Sequence, residues 1–118
     1  MINKNIETNS ELITGAASAK PLTWGKDSMA DDHYDYVILA DCIYYDQSLQ
    51  PLVQTITDLC SSDTVVLCCY EQRTTGNKPR LEKEFFELIG AKFEVEAISS
   101  ERQDSLFRSE DIHILKFT

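Results

Sequence analysis

The chain has few glycines and no long apolar run, and both shortages exclude whole classes of protein. Its four glycines, Gly15, Gly25, Gly76 and Gly90, nowhere form the GxGxxG spacing of a loop that follows a strand and cradles a phosphate or nucleotide. The longest clean apolar run, Val37 to Ala40, is far shorter than the ~20 residues of a membrane-spanning helix. We therefore expect no membrane span, and we also expect no secretory signal at the start of the chain.

Cysteine pairs with the spacing of a metal site are also lacking. The four cysteines, Cys42, Cys60, Cys68 and Cys69, form neither a CxxC pair nor a cluster with histidine. Cys68 and Cys69 are adjacent in an apolar run, where a strand would point them to opposite faces. Reduced structural thiols explain this pattern better than metal or redox chemistry does. The cysteines predict no metal site and a cytoplasmic location.

Basic residues are outnumbered, with 11 Lys and Arg against 20 Asp and Glu and a net charge of −9. A nucleic-acid binder normally carries a basic face, so we expect no nucleic-acid partner. An acidic surface attracts basic partners such as a lysine-bearing protein segment, although it can also serve solubility alone. With 118 residues, of which 42% are hydrophobic, the chain has the size and composition of one small globular domain.

Two apolar, β-branched runs predict buried parallel strands, Tyr34 to Ala40 and Thr64 to Tyr70. A helical stripe follows the first run, with Ser48 as its N-cap and Pro51 in its first turn. A second helix follows the second run, beginning at Pro79 and ending at Gly90. These two strand-helix units predict an α/β fold with a parallel sheet that is covered on both faces.

The ends of the chain have weaker patterns. Met1 to Asn9 is too short to form a helix alone, Leu22 to Trp24 reads as a short extended strand, and Lys26 to His33 reads as a loop. Phe93 to Ala97 alternates apolar and charged residues, as a strand with one wet face does. It predicts an antiparallel, long-looped hairpin with Asp111 to Phe117.

Polar side chains follow both apolar strands, at the sheet edge where α/β proteins place their chemistry. Asp41 to Tyr45 brings a carboxylate and two phenols there, and groups of this kind are costly to bury without partners. Glu71 to Arg73 follows the second strand and could line the same cleft. On the residues alone, Asp41 could equally cap a turn while the tyrosines point into water. Glu71 and Arg73 could equally form an ordinary surface ion pair.

Four blocks in order resemble those of the seven-β-strand, S-adenosylmethionine-dependent protein-lysine methyltransferases. Asp41 to Tyr45 is similar to the family's Asp-x-x-Tyr signature, and Leu22 to Gly25 is similar to its Leu-x-Trp-Gly segment. Cys68 to Thr74 and Arg108 to Ile114 complete the match. The first signature alone is weak, but the ordered set is specific and spans the whole chain. The resemblance is nearest to members that methylate valosin-containing protein, an AAA-type ATPase.

The resemblance implies a methyl-donor cleft that binds S-adenosylmethionine. In that cleft Trp24 would lie beside the adenine and Ala40 would line the pocket, although Trp24 taken alone is more typical of core. Asp41 and Tyr44 would be the catalytic residues between the donor and the target lysine of a protein substrate, with the valosin-containing ATPase as the candidate. A lysine amine with a pKa of ~10.4 is only about 0.1% neutral near pH 7.4, a deficit of roughly 4 kcal/mol. The site must therefore desolvate and orient the amine, and it needs no covalent nucleophile.

The family's Gly-rich loop and the acidic residue that holds the ribose have no counterpart in the sequence. The resemblance therefore implies that residues 1–118 are the C-terminal portion of a methyltransferase domain. Their Rossmann-like sheet would be partial, mostly parallel with a C-terminal antiparallel strand, and would lack the first two strands of the order 3-2-1-4-5-7-6. We expect the first apolar strand to have an open edge. We also expect the isolated chain to bind the donor weakly, so a non-catalytic interaction module is the alternative to an enzyme.

Overall fold

The computed structural model describes residues 1–27 and 33–118, so part of the predicted loop Lys26 to His33 lies outside the described residues. The helices and strands are α1 (Ile2–Thr8), β1 (Tyr36–Ala40), α2 (Leu49–Leu59), β2 (Val65–Glu71), α3 (Lys78–Gly90), β3 (Val95–Ala97) and β4 (Ile112–Phe117). Short 3₁₀ turns lie at Asp46–Ser48 and Ser100–Arg102. None of the helices in these ranges is long and apolar enough to cross a membrane.

The four strands form one mixed sheet in the order β1-β2-β4-β3. β1 and β2 are parallel, with Leu39 opposite Cys68, and a crossover through α2 joins them. β4 lies antiparallel between β2 and β3, with Leu115 opposite both Cys68 and Ala97. The predicted α/β fold, the parallel pair and the C-terminal antiparallel hairpin are confirmed.

One face of the sheet carries the core, because side chains on a strand alternate between the two faces. Both α2 and α3 pack against that face. The buried cluster consists of Leu39, Val66, Cys68, Leu115 and Phe117 from the strands, Leu49, Leu52, Val53 and Ile56 from α2, and Leu81, Phe85 and Ile89 from α3. The apolar stripes that predicted the two helices are therefore the stripes that they bury.

The other face of the sheet is open, and the prediction of a sheet covered on both faces is wrong for the described residues. Tyr36 and Ile38, which alternate with the buried Leu39, are 64% and 75% exposed. Leu67, beside Ile38 in the register, is only partly buried. The reason is that α2 and α3 share one core on the opposite face, while α1 has no buried residue. β1 is also an edge strand, as expected.

The N-terminal region differs from its prediction in two ways. Met1 to Asn9 does contain a helix, closed by Asn9, whose backbone and side-chain amides both donate to the Asn5 carbonyl. Leu22 to Trp24 is not a strand, because the chain turns at Trp24. The Thr23 carbonyl accepts from the amides of Lys26 and Asp27, and the Asp27 carboxylate accepts from the Thr23 amide. The hydrogen bond from the Thr23 amide to the Asp27 carboxylate therefore favours a turn over the extended conformation predicted for Leu22 to Trp24.

Two smaller predictions also need correction. Ser48 is the N-cap residue of α2, as predicted, but its side chain makes no capping hydrogen bond. Its backbone amide donates to the Tyr45 carbonyl at 3.0 Å, within the 3₁₀ turn that precedes the helix. In β3 all three residues are exposed, and the apolar contact of this segment comes from Phe93, whose ring lies 6.4 Å from that of Phe117.

Candidate functional site

Asp41 ends β1 with an unusual backbone conformation. Its amide donates to the Cys69 carbonyl at 3.0 Å, which continues the ladder between β1 and β2 for one more residue. Its φ is +51°, in the left-handed region that aspartate tolerates better than most residues do. The exposed carboxylate therefore lies where the chain leaves the sheet, at the carboxyl ends of the two parallel strands.

The next four residues divide between the core and the surface. Cys42 and Ile43 pack against the buried cluster, whereas Tyr44 and Tyr45 are 40% and 58% exposed. The two phenol rings lie edge to face, with centroids 4.8 Å apart and planes at 68°. This loop therefore presents an exposed aromatic pair beside an exposed carboxylate.

Two cations lie against the Tyr44 ring. The Lys78 ammonium is 3.5 Å from the ring centroid and donates a 2.7 Å hydrogen bond to the Tyr44 carbonyl. The same ammonium is 5.8 Å from the Tyr45 centroid. The Arg73 guanidinium lies 5.1 Å from the Tyr44 centroid. An ammonium or guanidinium over a phenol ring is attracted by the negative face of the ring, so this pair of tyrosines already acts as a cation-binding surface.

Arg73 is itself held by Glu71, through hydrogen bonds of 3.2 Å from Nε and 3.0 Å from Nη2 to one carboxylate oxygen. This hydrogen bond is the main reason that the pKa of the guanidinium is raised, and Tyr44 adds to the effect. The surface ion pair that the sequence left open for these two residues is confirmed. The ion pair also places Arg73 beside the aromatic pair, so the two polar segments after β1 and β2 do meet.

A partly buried tyrosine next to this surface joins β2 to α3. The Tyr70 hydroxyl donates to Glu82 at 3.0 Å, and burial together with that carboxylate raises the pKa of the phenol. Its ring packs on Phe86 and His113, at centroid distances of 5.5 and 5.3 Å. A shallow cavity of about 270 Å³ lies next to this cluster and is lined by Gln72, Arg73, Thr74, Pro79, Glu82, Lys83 and Phe86.

Trp24 and Ala40 occupy different surroundings. Trp24 packs against the hydrophobic core, and the turn that it begins is tied to α2 by the hydrogen bond from the Gly25 amide to Thr55. Ala40 is exposed at the end of β1, opposite Cys69. The structure thus places Ala40, Asp41 and Tyr44 along one strand end and its loop, and Trp24 beside the helix that follows them.

The sequence has clear relatives. A family model described as "Lysine methyltransferase" matches residues 1–92 of this chain. The chain belongs to that family. Protein N-lysine methyltransferase METTL21A of Mus musculus is 31% identical over 90 residues, which cover 71% of this chain and 41% of the relative. Protein-lysine N-methyltransferase EFM6 of Saccharomyces cerevisiae is 26% identical over 128 residues, which cover 98% of this chain and 49% of the relative. The chain spans about half, or less, of the length of these curated relatives.

The donor implied by the lysine methyltransferase family is not enclosed by the described residues alone. Asp41 and Ala40 are open to solvent, and Trp24 packs on the core. None of the three lines the cavity described above or a smaller one beside it, which is lined by Ile43, Tyr70, Glu71, Arg73, Lys78 and Glu82. Trp24, Ala40 and Asp41 therefore do not by themselves form a pocket that fits an adenosine group. What this geometry does provide is a tyrosine surface that holds an ammonium group, that of Lys78.

Two contacts at this site were not predicted from the sequence. Lys78 lies just before Pro79, the predicted start of the second helix, and had no predicted role, yet its ammonium contacts both the ring and the carbonyl of Tyr44. Arg80, two residues further along α3, binds the Asp46 carboxylate, with Nη2 2.6 Å from Oδ2. Each pair is separated by 34 residues, and no local pattern connects residues that far apart.

Proposed function

We propose that this chain provides the lysine-binding side of a protein-lysine N-methyltransferase that takes its methyl group from S-adenosylmethionine. One observation carries the proposal. In a member of the lysine methyltransferase family, the exposed tyrosine pair that follows Asp41 already holds an ammonium group, that of Lys78, at 3.5 Å. Asp41 and Tyr44 are the residues that we assign to the target lysine.

The two assigned residues match what lysine methylation requires. The attacking amine has to lose its proton and point its lone pair at the methyl group, so it needs a hydrogen-bond acceptor and a surface that limits access of water. The Asp41 carboxylate and the Tyr44 hydroxyl can each accept a hydrogen bond from the amine at the exposed end of β1 and in the loop that follows it. Lys78 covers part of the Tyr44 ring, but Tyr44 stays 40% exposed, which leaves surface for a second amine.

Donor binding is a separate proposal. S-adenosylmethionine supplies an electrophilic methyl group when bound, and the resemblance to the family supports Trp24 and Ala40 as its contacts. We propose that residues 1–118 are the C-terminal portion of a methyltransferase domain. Because Trp24 and Ala40 border neither of the two cavities, we also propose that the isolated chain binds the donor weakly. Titration calorimetry that measured a micromolar Kd for the isolated chain would contradict this.

The substrate that we propose is the AAA-type ATPase valosin-containing protein, modified on a lysine in the cytoplasm. The support is the resemblance of the four sequence blocks, together with a net charge of −9 that favours encounter with a basic segment. The free thiols of all four cysteines fit a reducing compartment.

The test is tritium transfer from labelled S-adenosylmethionine to the purified ATPase. It uses the chain itself and a chimera that joins to it the residues of the mouse relative outside the matched region. Asp41→Asn and Tyr44→Phe should each lower the rate about 10²-fold or more, which is the usual contribution of a positioned proton acceptor or donor. Tyr36→Phe, on the open sheet face, is the matched control and should keep the full rate. Rates within twofold of the parent for both site variants would remove Asp41 and Tyr44 from the mechanism.

A second candidate function is a non-catalytic module that binds the same protein. The observation that favours it is the exposure of Ala40 and Asp41 at the end of β1. Capture of the purified ATPase by the chain, with no label transferred by either the chain or the chimera, would establish this candidate and exclude the enzyme.

A further inference from the structure

The first turn of α3 reaches across to the loop that carries Tyr44. The Lys78 ammonium makes two contacts there, a 2.7 Å hydrogen bond to the Tyr44 carbonyl and a cation–π contact 3.5 Å from the centroid of the same ring. One charged group therefore restrains both the backbone and the side chain of a single residue. A free tyrosine side chain turns about two torsions, and this contact holds the ring against a fixed helix.

A second cation from the same helical turn binds the same loop. Arg80 pairs with Asp46, two residues after Tyr44, and also with Glu84 one turn along α3. The loop is thus attached to α3 at two points, one on each side of Tyr45. Surface loops that carry function are normally held by a rigid scaffold in this way.

Lys78 differs from its cationic neighbours in what it binds. Across residues 1–27 and 33–118, Arg73 pairs with Glu71, and Arg80 pairs with Asp46 and Glu84, whereas Lys78 takes part in none of the ion pairs. Its polar contact is the Tyr44 carbonyl. Helix stability does not explain this placement, because a lysine at the start of a helix opposes the helix dipole.

We infer that Lys78 is the positioning residue for Tyr44, fixing its ring at the orientation that the target lysine meets. This inference rests on the proposed function, in which Tyr44 faces that lysine. A misplacement of about 1 Å in a catalytic group can lower a rate about 10²-fold, so a residue that fixes the ring acts on the chemical step. Lys78 acts through Tyr44 and makes no bond to the substrate.

The contact itself is tested by NMR on the isolated chain, without donor or substrate. The ε-methylene protons of Lys78 should shift upfield, because they lie over the face of an aromatic ring. Tyr44→Leu should abolish that shift and Tyr44→Phe should keep it. Lys92, which follows α3 at its other end, supplies the unshifted reference. An ordinary ε-methylene shift for Lys78 in the folded parent would overturn the inference, whatever the activity.

The role is tested by the kinetics of label transfer to the purified ATPase, in whichever of the chain and the chimera transfers label. Lys78→Met should lower kcat about tenfold with KM for the protein substrate nearly unchanged, because it loosens Tyr44 without removing a substrate contact. Lys78→Arg, whose guanidinium can also lie on the ring, should restore most of kcat. Lys92→Met is the control and should leave both parameters alone.

The outcomes separate the two hypotheses. If Tyr44→Phe lowers the rate while Lys78→Met keeps kcat within twofold, Lys78 has no positioning role and the proposed function stands. If Tyr44→Phe is also without effect, the proposed site fails and the inference fails with it. If neither protein transfers label, both fail.

Discussion

The backbone amide of Gly25 donates a 2.8 Å hydrogen bond to the hydroxyl of Thr55, and this contact attaches the Trp24 turn to α2 across 30 residues of sequence. Thr55 is only 5% exposed, so the hydroxyl is a buried acceptor with a defined partner. This contact thereby places the Trp24 side chain beside α2, the helix that follows the candidate site.

Thr55→Val should lower the free energy of unfolding by about 1–2 kcal/mol, because the variant keeps the shape but leaves the Gly25 amide without its acceptor. Urea denaturation followed by circular dichroism measures the change. Thr57→Val is the matched control. The Thr57 hydroxyl donates to the Val53 carbonyl of its own helix at 2.8 Å, and its removal should change stability by less than about 0.5 kcal/mol. Equal effects for the two variants would show that the Gly25 contact contributes nothing.

Gly25→Ala should lower stability more than Gly76→Ala does. Both glycines have positive φ, +71° and +62°, so both substitutions should lose about 1 kcal/mol from the left-handed backbone. A Cβ on Gly25 would also lie 3.0 Å from Pro51 Cβ and 3.1 Å from Pro51 Cα, whereas a Cβ on Gly76 would meet nothing within 4 Å. The crowding should add about 1–2 kcal/mol at Gly25 alone. A smaller loss at Gly25 than at Gly76, measured by the same denaturation, would contradict the close approach to Pro51.

Substitution of Asp41 should separate its backbone conformation from its charge. Asp41→Asn keeps a residue that tolerates φ = +51° and should change stability by less than about 0.5 kcal/mol. Asp41→Val should lower it by about 1–2 kcal/mol, since a branched side chain is strained in this region. Thermal unfolding of the two variants tests this. A methyl-transfer defect in Asp41→Asn would then be chemical, whereas a defect in Asp41→Val would combine chemistry and folding.

The Cys68 thiol should resist alkylation in the folded protein. Its raised pKa should also make the free energy of unfolding fall at alkaline pH. Burial, with smaller effects of Cys42 and Cys69, raises the pKa of this thiol from 9.0 to about 12. The pKa of the Cys68 thiol is higher in the folded than in the unfolded state. The stabilising contribution of this thiol is therefore fully present below pH 9 and is lost as the pH rises from 9 towards 12. Iodoacetamide at pH 8, read by mass spectrometry of peptides, should label Cys68 only after unfolding. Labelling of Cys68 as fast as the partly exposed Cys69 would contradict this.

His113→Phe should leave stability unchanged or raise it by up to about 1 kcal/mol. The His113 Nε2 atom is buried and has no hydrogen-bond partner in the part of the chain that the structure describes. A phenyl ring would remove that unpaired polar atom and keep the packing against Tyr70, 5.3 Å away. A loss above about 1 kcal/mol in urea denaturation would mean that Nε2 makes a favourable interaction after all.

The sequence predicted those elements whose pattern is local. The apolar runs around Leu39 and Val66 and the helical stripes of α2 and α3 were identified because hydrophobic periodicity needs no knowledge of the partner. The open face at Ile38 was not predicted, because a continuous apolar run looks the same whether one face is covered or both. The turn at Trp24 was missed because it depends on one carboxylate, that of Asp27.

The candidate site was predictable only in part. The segment after β1 was identifiable, since the carboxyl end of a parallel strand is where an α/β fold concentrates chemistry. Lys78 and Arg80 were not, because their contacts with Tyr44 and Asp46 depend on how α3 packs across the loop. Long-range contacts of this kind carry no periodic signal.

The uncovered face of the sheet has a practical consequence for anyone who handles the isolated chain. Tyr36 and Ile38 stand in solvent on an edge strand, beside the partly buried Leu67. Dyes such as ANS, whose fluorescence normally diagnoses a loosely packed intermediate, bind apolar surface of this kind. Bright dye fluorescence from this polypeptide is thus compatible with a rigid native fold, and quality control of a preparation should use dispersed NMR signals in its place.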